Sequence, residues 1–368
     1  MPKSPDADSE KIVYRRADHA DARDRARVLG ILREYFTSVG EAGVADARYA
    51  WLYLANPALH ARTFLASDRA TQEVVGITSL FPRPVWTCGQ TFLGAIGGDG
   101  YVTPRYRRRG IITLLHREAL RAMNDRDEPV SFMFGPPEPN NLKALLRAGA
   151  SRVGHVQRFV RPLTAEGFGS RGARWALPLH KPLSWALSPR KSKLRLLELT
   201  DRPDARVDRV WQKTVEALEG SKEVVPVRDA VFYAWRFGSA ATAAAAAGNQ
   251  RGYLVVDGDN PVAAVALERR DSKVAIIDVT APMRWQPRAY RAILDACRGT
   301  DSVHVETHVP SARLRRLRAM FFYRLGFLPR ASKPFQVHVG PYHPVHDALV
   351  RPEAWRYMWG DGDVTRVL

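Results

Sequence analysis

The stretch 101-YVTPRYRRRGIITLLHREAL-120 places three consecutive arginines and a glycine where an extended, β-branched segment turns into an amphipathic helix. Peptide N–H groups at a helix start have no intrahelical acceptor, and the helix dipole adds partial positive charge there, so such a turn attracts phosphate oxygens. Gly110 lets a ligand approach the backbone, and Arg107, Arg108 and Arg109 add donors and potential. The competing reading is a solvated helix start with surplus charge. The helix that follows, IITLLHREALRAM, is apolar along one face, as a helix packed on a sheet must be.

Working outward, 11–17 reads as a strand, 19–38 as a helix and 46–54 as a second short helix. Apolar, β-rich runs at 61–67, 72–87 and 90–103 are separated by charged or glycine-containing turns. Helix 109–124, strand 130–135, a helix within 140–148 closed by Gly149, and strand 152–161 complete one α/β unit. The plan then restarts: strand 195–200, helices 206–219 and 227–237, strands 252–257, 261–269 and 273–280, helix 286–298, strand 302–309, helix 311–325 and strand 334–339. The segments 48-RYAWLYLANP-57 and 228-RDAVFYAWRFGS-239 echo each other ahead of the first hairpin, which points to internal duplication. Four parts follow: a first domain over 1–163, a basic linker with Trp, Pro and Gly over 164–194, a second domain over 195–342 and a tail over 343–368. The alanine run at 239–248 reads as an insertion, and the aromatic tail as docking on a core.

The chain has 368 residues, enough for two cores of about 150 residues each. Its 56 Lys and Arg against 38 Asp and Glu give a net charge of +18. That charge suits phosphate-bearing ligands, nucleic acid or anionic lipid, or it is arginine scattered by a compositional bias. The sequence begins without a basic, apolar leader and has no apolar run of about 20 residues, so a cytoplasmic protein is expected. Two cysteines, Cys88 and Cys297, lack metal-ligand spacing, so neither a metal site nor a disulfide framework is expected. No G-x-S-x-G, H-E-x-x-H or G-x-x-x-x-G-K-[ST] motif occurs.

A strand, then V-x-P-x-Y-R-x-R-G-I, then a leucine-bearing helix resembles the acetyl-CoA pyrophosphate loop of the GNAT superfamily of N-acetyltransferases. The family pattern is Arg or Gln, two residues, Gly, one residue, Gly or Ala; here it falls on Arg107, Gly110 and Ile112, the last a departure. The segment 132-FMFGPPEPNNLKALLRAGASRVGHVQRFVRPL-163 is similar to the family's fifth strand with its turn, helix and closing glycine. The resemblance covers 11–163 and implies an α/β fold of two tandem GNAT-like domains, each a mixed, mostly antiparallel sheet flanked by helices. The second half shares the order of elements and 322-FYRLGF-327, but Pro282 and Pro287 stand where a phosphate loop would lie, so that copy reads as degenerate.

The resemblance implies acetyl-CoA as co-substrate, held by Val102, Thr103, Arg107, Arg108, Arg109, Gly110, Ile111 and Ile112, with Asn140 or Asn141 near the pantetheine arm. Helix capping explains those asparagines equally well. The implied reaction is direct transfer of an acetyl group to a primary amine of a small molecule or amino sugar. Asp99 is the first candidate for a base acting through water and Glu138 the second, and a backbone N–H at Val102 or its neighbour would polarise the carbonyl. The family's thiolate acid, a tyrosine three residues before the closing glycine, is replaced by Leu146; Tyr101, Tyr106 or water would substitute. Tyr323 holds the matching place in the second half, where packing is its expected role, and His116 reads as structural. Glu34, Glu41 and Asp46 form an acidic group suited to a cationic acceptor. Two alternatives stand beside this: a non-catalytic CoA-binding module, and an aminoacyl-tRNA-dependent transferase of the tandem type, although nucleic acid is not the expected partner.

Overall fold

A computed structural model describes residues 11–125, 127–164, 192–239, 241, 249–297, 300–310 and 325–361. The expected linker, the alanine run and helix 311–325 lie outside these residues, wholly or nearly so, and Tyr323 lies outside them too.

The first half runs β1 (Ile12–Arg16), α1 (Ala22–Ser38), α2 (Ala45–Arg48), β2 (Arg62–Asp68), β3 (Val74–Thr87), β4 (Gln90–Val102), α3 (Ile111–Ala122), β5 (Phe132–Gly135), α4 (Pro139–Ala148) and β6 (Ser151–Pro162). A π-helical turn, Tyr49–Leu54, prolongs α2. The second half runs β7 (Arg195–Glu198), α5 (Ala205–Glu216), the short β8 (Val225–Pro226), α6 (Ala230–Phe237), β9 (Asn249–Asp257), β10 (Asn260–Arg270), β11 (Lys273–Thr280), α7 (Gln286–Ala296), β12 (His304–Pro310) and β13 (Leu328–Val339), followed by α8 (His346–Leu349). Local chemistry sets several of these ends. Asp21 caps α1 by accepting the Asp24 N–H, and Gly149, at φ 114°, closes α4 in a left-handed conformation.

The strands form one sheet ordered β1-β2-β3-β4-β5-β13-β6-β12-β11-β10-β9-β7, with β8 beside β3. The last strand of each half lies next to the last but one of the other: β13 pairs with β5, and β6 with β12. The antiparallel β6–β13 pair is therefore the centre of a pseudo-two-fold arrangement. The parallel pair β4–β5 on one side is matched by the parallel pair β11–β12 on the other. The halves share a sheet instead of closing separately, because β5 and β12 are buried along their whole length and each needs a neighbour on both edges.

Helices α3 and α4 cover one face of the first half, where Ile111, Leu115, Leu120, Met133 and Leu145 pack together. On the other face α1 and the π-turn pack through Leu32, Phe36, Trp51 and Tyr53. The tail lies on the middle of the sheet, where Trp355 and Tyr357 bury fully against Phe134 and Phe335. Trp51 and Trp235 join the halves: their rings stack at 5.4 Å, and each indole N–H donates to the other residue's carbonyl at 3.0 and 3.2 Å.

Burial holds His19, His116 and His308 each down to about 4, from an ordinary 6.5. The unfolded chain takes up these protons near 6.5 and the folded protein resists to about 4, so stability falls as pH drops through that window. Each histidine contributes up to about 1.4 kcal/mol per pH unit at the steepest point. Asp24, held down to about 2 chiefly by Arg15, adds a loss only below the ordinary carboxylate range. Urea midpoints measured from pH 7 to pH 4.5 are expected to decline steadily below 6.5; a flat profile would contradict the buried neutral histidines.

Candidate active site

The basic turn has the backbone of an anion cradle. After β4, Pro104–Tyr106 make one 3-10 turn; Arg108 then sits at φ 65° and Gly110 at φ 77°, so two left-handed residues precede α3. Alternation of left- and right-handed residues points successive N–H groups toward one side. Among the described residues, no backbone acceptor meets the N–H groups of residues 108 to 110. Holding an arginine at positive φ costs about 1 kcal/mol, a strain typical of ligand-binding turns. Side chains brace the turn from outside. Arg107 Nε donates to the Val102 carbonyl at 3.0 Å, Tyr106 donates to Asp68 at 2.9 Å, and Arg105 pairs with Glu73. Arg109 lies over the Tyr106 ring and Arg107 over Tyr101.

Beside this turn the sheet opens. Strands β4 and β5 pair in parallel only at Gly94↔Phe132, Ala95↔Met133 and Ile96↔Phe134, then part. A cleft of about 1750 Å³, measured with its open mouths, occupies the gap. It crosses the sheet. On the α3–α4 side it is lined by His116, Leu120, Met133, Asn140, Asn141 and Leu145, and on the α1 side by Tyr35, Phe36, Val39, Glu41 and Arg48. Glycines make the passage: a Cβ on Gly97 would stand 3.1 Å from Met133 Sδ, and one on Gly100 would stand 3.3 Å from Asn141 Nδ2. Asn140 and Asn141 line the cleft and do not cap α4, whose N-cap is Glu138 with no side-chain hydrogen bond.

At the cleft's centre β4 bulges. Ile77 pairs with Tyr101 and Ser79 with Gly98, leaving Asp99 and Gly100 opposite Thr78 alone, with Asp99 at φ 49°. A bulge leaves a residue outside the ladder and re-aims its peptide groups. Asp99 is 9% exposed and doubly bound: Arg48 Nε and Nη2 approach its two oxygens at 2.9 Å, and the Tyr53 hydroxyl donates to Oδ2 at 2.8 Å. Both carboxylate oxygens are occupied, which is the environment of an ion pair that fixes the bulge and not of a free base. Tyr101, equally, donates to Glu34 at 3.0 Å, with burial and Glu34 raising its pKa, away from the role of acid. Glu138 lies at the rim of the cleft and pairs with Lys333 at 3.2 Å. The Thr103 N–H donates to the Val75 carbonyl on β3 at 3.0 Å; hydrogen-bonded and non-hydrogen-bonded pairs alternate in an antiparallel ladder, so Val102, opposite Gly76, turns its N–H away from β3 toward the parted side, next to the bulge. Ile111 is buried in the core beneath α3, while Ile112 comes within 3.5 Å of a Cβ on Gly100, so its bulk narrows the cleft wall. Of the acidic trio, only Glu41 lines the cleft; Asp46 pairs with exposed Arg33.

The second half repeats the buried device. Arg228 binds Asp278 on β11 at 2.7 and 2.9 Å, and Tyr233 lies against the same carboxylate; burial and that charge push the phenol well above its ordinary value. Arg48 and Tyr53, like Arg228 and Tyr233, stand five residues apart, so the echoed segments of the sequence carry one ion-pair arrangement twice. The phosphate cradle is not repeated. The described turn from β11 to α7 has Trp285 at its cap and no left-handed residue. The matching opening shrinks to about 540 Å³, walled by Trp211, Tyr290 and Val309.

A sheet parted between two parallel strands, with a left-handed basic turn at the following helix, is the architecture that the comparisons below share. Residues 16–139 match the family model described as an acetyltransferase (GNAT) domain. The fold is that of solved GNAT structures. A GCN5-related N-acetyltransferase from Anabaena variabilis ATCC 29413 matches with TM-score 0.61 at 13% identity, over 89% of this chain and 72% of that one. A conserved protein of unknown function from Enterococcus faecalis V583, a probable N-acyltransferase, matches with TM-score 0.60 at 10% identity over the same shares. Saccharomyces cerevisiae N-myristoyltransferase with bound myristoyl-CoA matches with TM-score 0.54 at 14% identity, over 89% of this chain and 82% of that one. No curated protein matches the chain in sequence. Among the described residues, no helix is long and apolar enough to cross a membrane.

Sequence reasoning missed Arg48, Tyr53, Gln336 and Tyr357. The echo around Arg48 was a signal for the first two. The others reach the site only through strand exchange and the docked tail.

Proposed function

We propose that the chain is an acyl-CoA-dependent N-acyltransferase that passes an acyl group, acetyl in the simplest case, from the thioester to a primary amine of a small molecule. One observation carries this reading: a cleft crosses the sheet at the β4–β5 parting and has the basic, left-handed turn beside it. The N–H groups of residues 108 to 112, with Arg107, Arg108 and Arg109, hold the pyrophosphate. Asn140 and Asn141 flank the pantetheine arm as it enters between the strands. The thioester carbonyl meets the peptide groups of the Asp99–Gly100 bulge, where developing negative charge is stabilised.

The amine enters on the α1 side, where Glu41 is the half-buried carboxylate of the cleft. Glu41 binds the ammonium form and accepts its proton through water, freeing the lone pair. Nitrogen attacks the carbonyl carbon, the C–S bond breaks, and the sulfur leaves with the electron pair. Leu146 is 41% exposed and supplies no acid. The proton lost by nitrogen on amide formation balances the thiolate, by way of water.

Thiol release from acetyl-CoA with a panel of primary amines tests the reading. For the best amine, Glu41→Gln is expected to raise KM about tenfold and to leave the CoA affinity unchanged, the loss of one charge-assisted contact. Saturable CoA binding with no thiol release from any amine would instead identify a non-catalytic CoA-binding module.

A further inference from the structure

The cleft has walls on both faces of the sheet, and the α3–α4 side contains an anomaly. On β13, His338 pairs with Met133, Val337 with Phe134 and Gln336 with Gly135. Side chains alternate along a strand, so Gln336 points to the same face as His338 and Met133, toward α3 and α4. There Ala119, Leu120, Met133 and Leu145 make an apolar stretch of the cleft wall, with Asn140 and Asn141 at the start of α4. Gln336 is 4% exposed, and its Oε1 has no hydrogen-bond partner among the described residues. His116, 6% exposed, has Nδ1 at 3.3 Å from the Thr78 hydroxyl, while its Nε2 has no partner among the described residues. Two unpaired buried polar atoms in one cleft are expensive, at about 1–3 kcal/mol each.

A pure hydrocarbon in this space would leave both atoms unpaired, whereas a hydroxyl, which both donates and accepts, would pair them. We infer that the α3–α4 end of the cleft is an acyl pocket for a group longer than acetyl that carries a neutral hydroxyl near its β-carbon. Gln336 and His116 are its specificity-determining residues. A hydroxyl donates to Gln336 Oε1 and accepts from His116 Nε2–H, the tautomer set when the Thr78 hydroxyl donates to Nδ1. The pocket favours a neutral group because His116 stays uncharged down to about 4 and none of the residues walling this end is cationic. Because Gln336 belongs to β13, the C-terminal half takes a direct part in choosing the donor.

This inference rests on the cleft being an acyl-CoA site, and titration calorimetry separates the two. CoA, acetyl-CoA, butyryl-CoA, 3-hydroxybutyryl-CoA and succinyl-CoA are titrated into wild type, His116→Leu and Gln336→Leu. The 3-hydroxybutyryl thioester is expected to bind about tenfold more tightly than butyryl-CoA, the fold-change of one buried hydrogen bond restored. Either substitution should reduce that preference to within about twofold, with CoA itself bound as by wild type. Equal affinity of wild type for butyryl-CoA and its 3-hydroxy form, or stronger binding of the succinyl form, would overturn the inference even if neither variant folds. Failure of wild type to bind any of the thioesters would overturn the acyl-CoA reading itself and this inference with it.

Discussion

Gly110→Asp is expected to weaken acetyl-CoA binding at least 100-fold while the melting temperature stays within a few degrees of wild type. The two effects separate because of where Gly110 lies. It is exposed, and a Cβ built on it meets nothing within 4 Å, so no packing is lost. Its φ of 77° is a conformation that a side chain disfavours by about 1 kcal/mol, and aspartate tolerates it better than most residues. Electrostatics outweighs that strain. The new carboxylate stands at the positive end of α3, among the N–H groups that the pyrophosphate would use, and replaces an attraction with a like-charge clash. Gly110→Asn carries the same backbone strain without the charge, so it should lose no more than about tenfold. Calorimetry of the three proteins, repeated across salt concentrations, gives the answer: a Gly110→Asp protein that binds acetyl-CoA as wild type does would remove phosphate from this turn.

That turn was legible in the sequence because everything it needs is local. A left-handed glycine, a basic run and an apolar helix face lie within twenty residues, and each has its own compositional mark. The order of strands and helices was legible for the same reason, since periodicity and turn residues act over short range. The buried ion pairs were not. Arg48 and Asp99 are 51 residues apart, and nothing in either segment announces the other, so Asp99 read as a free carboxylate near the reacting centre. The arrangement of the halves was hidden more deeply. Exchange of β6 and β13 across the pseudo-two-fold depends on pairings over more than a hundred residues, and those pairings bring Gln336 to a cleft otherwise built by the first half. The duplicated Arg and Tyr, five residues apart, were on view in both echoed segments. Their meaning needed the partner aspartates, which sit on strands the echo does not reach.

The second large effect is expected from Arg48→Met, at about 3–5 kcal/mol of lost unfolding free energy, because it strands the buried Asp99 carboxylate. Arg48 is 3% exposed and Asp99 9%, so water cannot take over the lost contacts. Removing both charges, in Arg48→Met with Asp99→Leu, should recover a good part of the loss, since no uncompensated charge then remains. The second half supplies an internal comparison. Arg228 binds Asp278 and also Asp361 of the docked tail, and Arg83 donates to Asp361 at 3.1 Å. Arg228→Met therefore strands Asp278 and leaves Asp361 to Arg83 and the Met358 N–H, so it should exceed the cost of Arg48→Met, with part of the excess appearing as release of the tail. Urea unfolding of the four proteins measures these differences, and a loss below about 1 kcal/mol for Arg48→Met would show that the Arg48–Asp99 pair contributes little at its bulge. Function divides the two copies in a way that stability does not. The Asp99 bulge faces the larger cleft and the Asp278 strand faces the smaller one. Mild loosening at Asp99, by Tyr53→Phe, is accordingly expected to lower acyl transfer more than the matched Tyr233→Phe does at equal cost in stability.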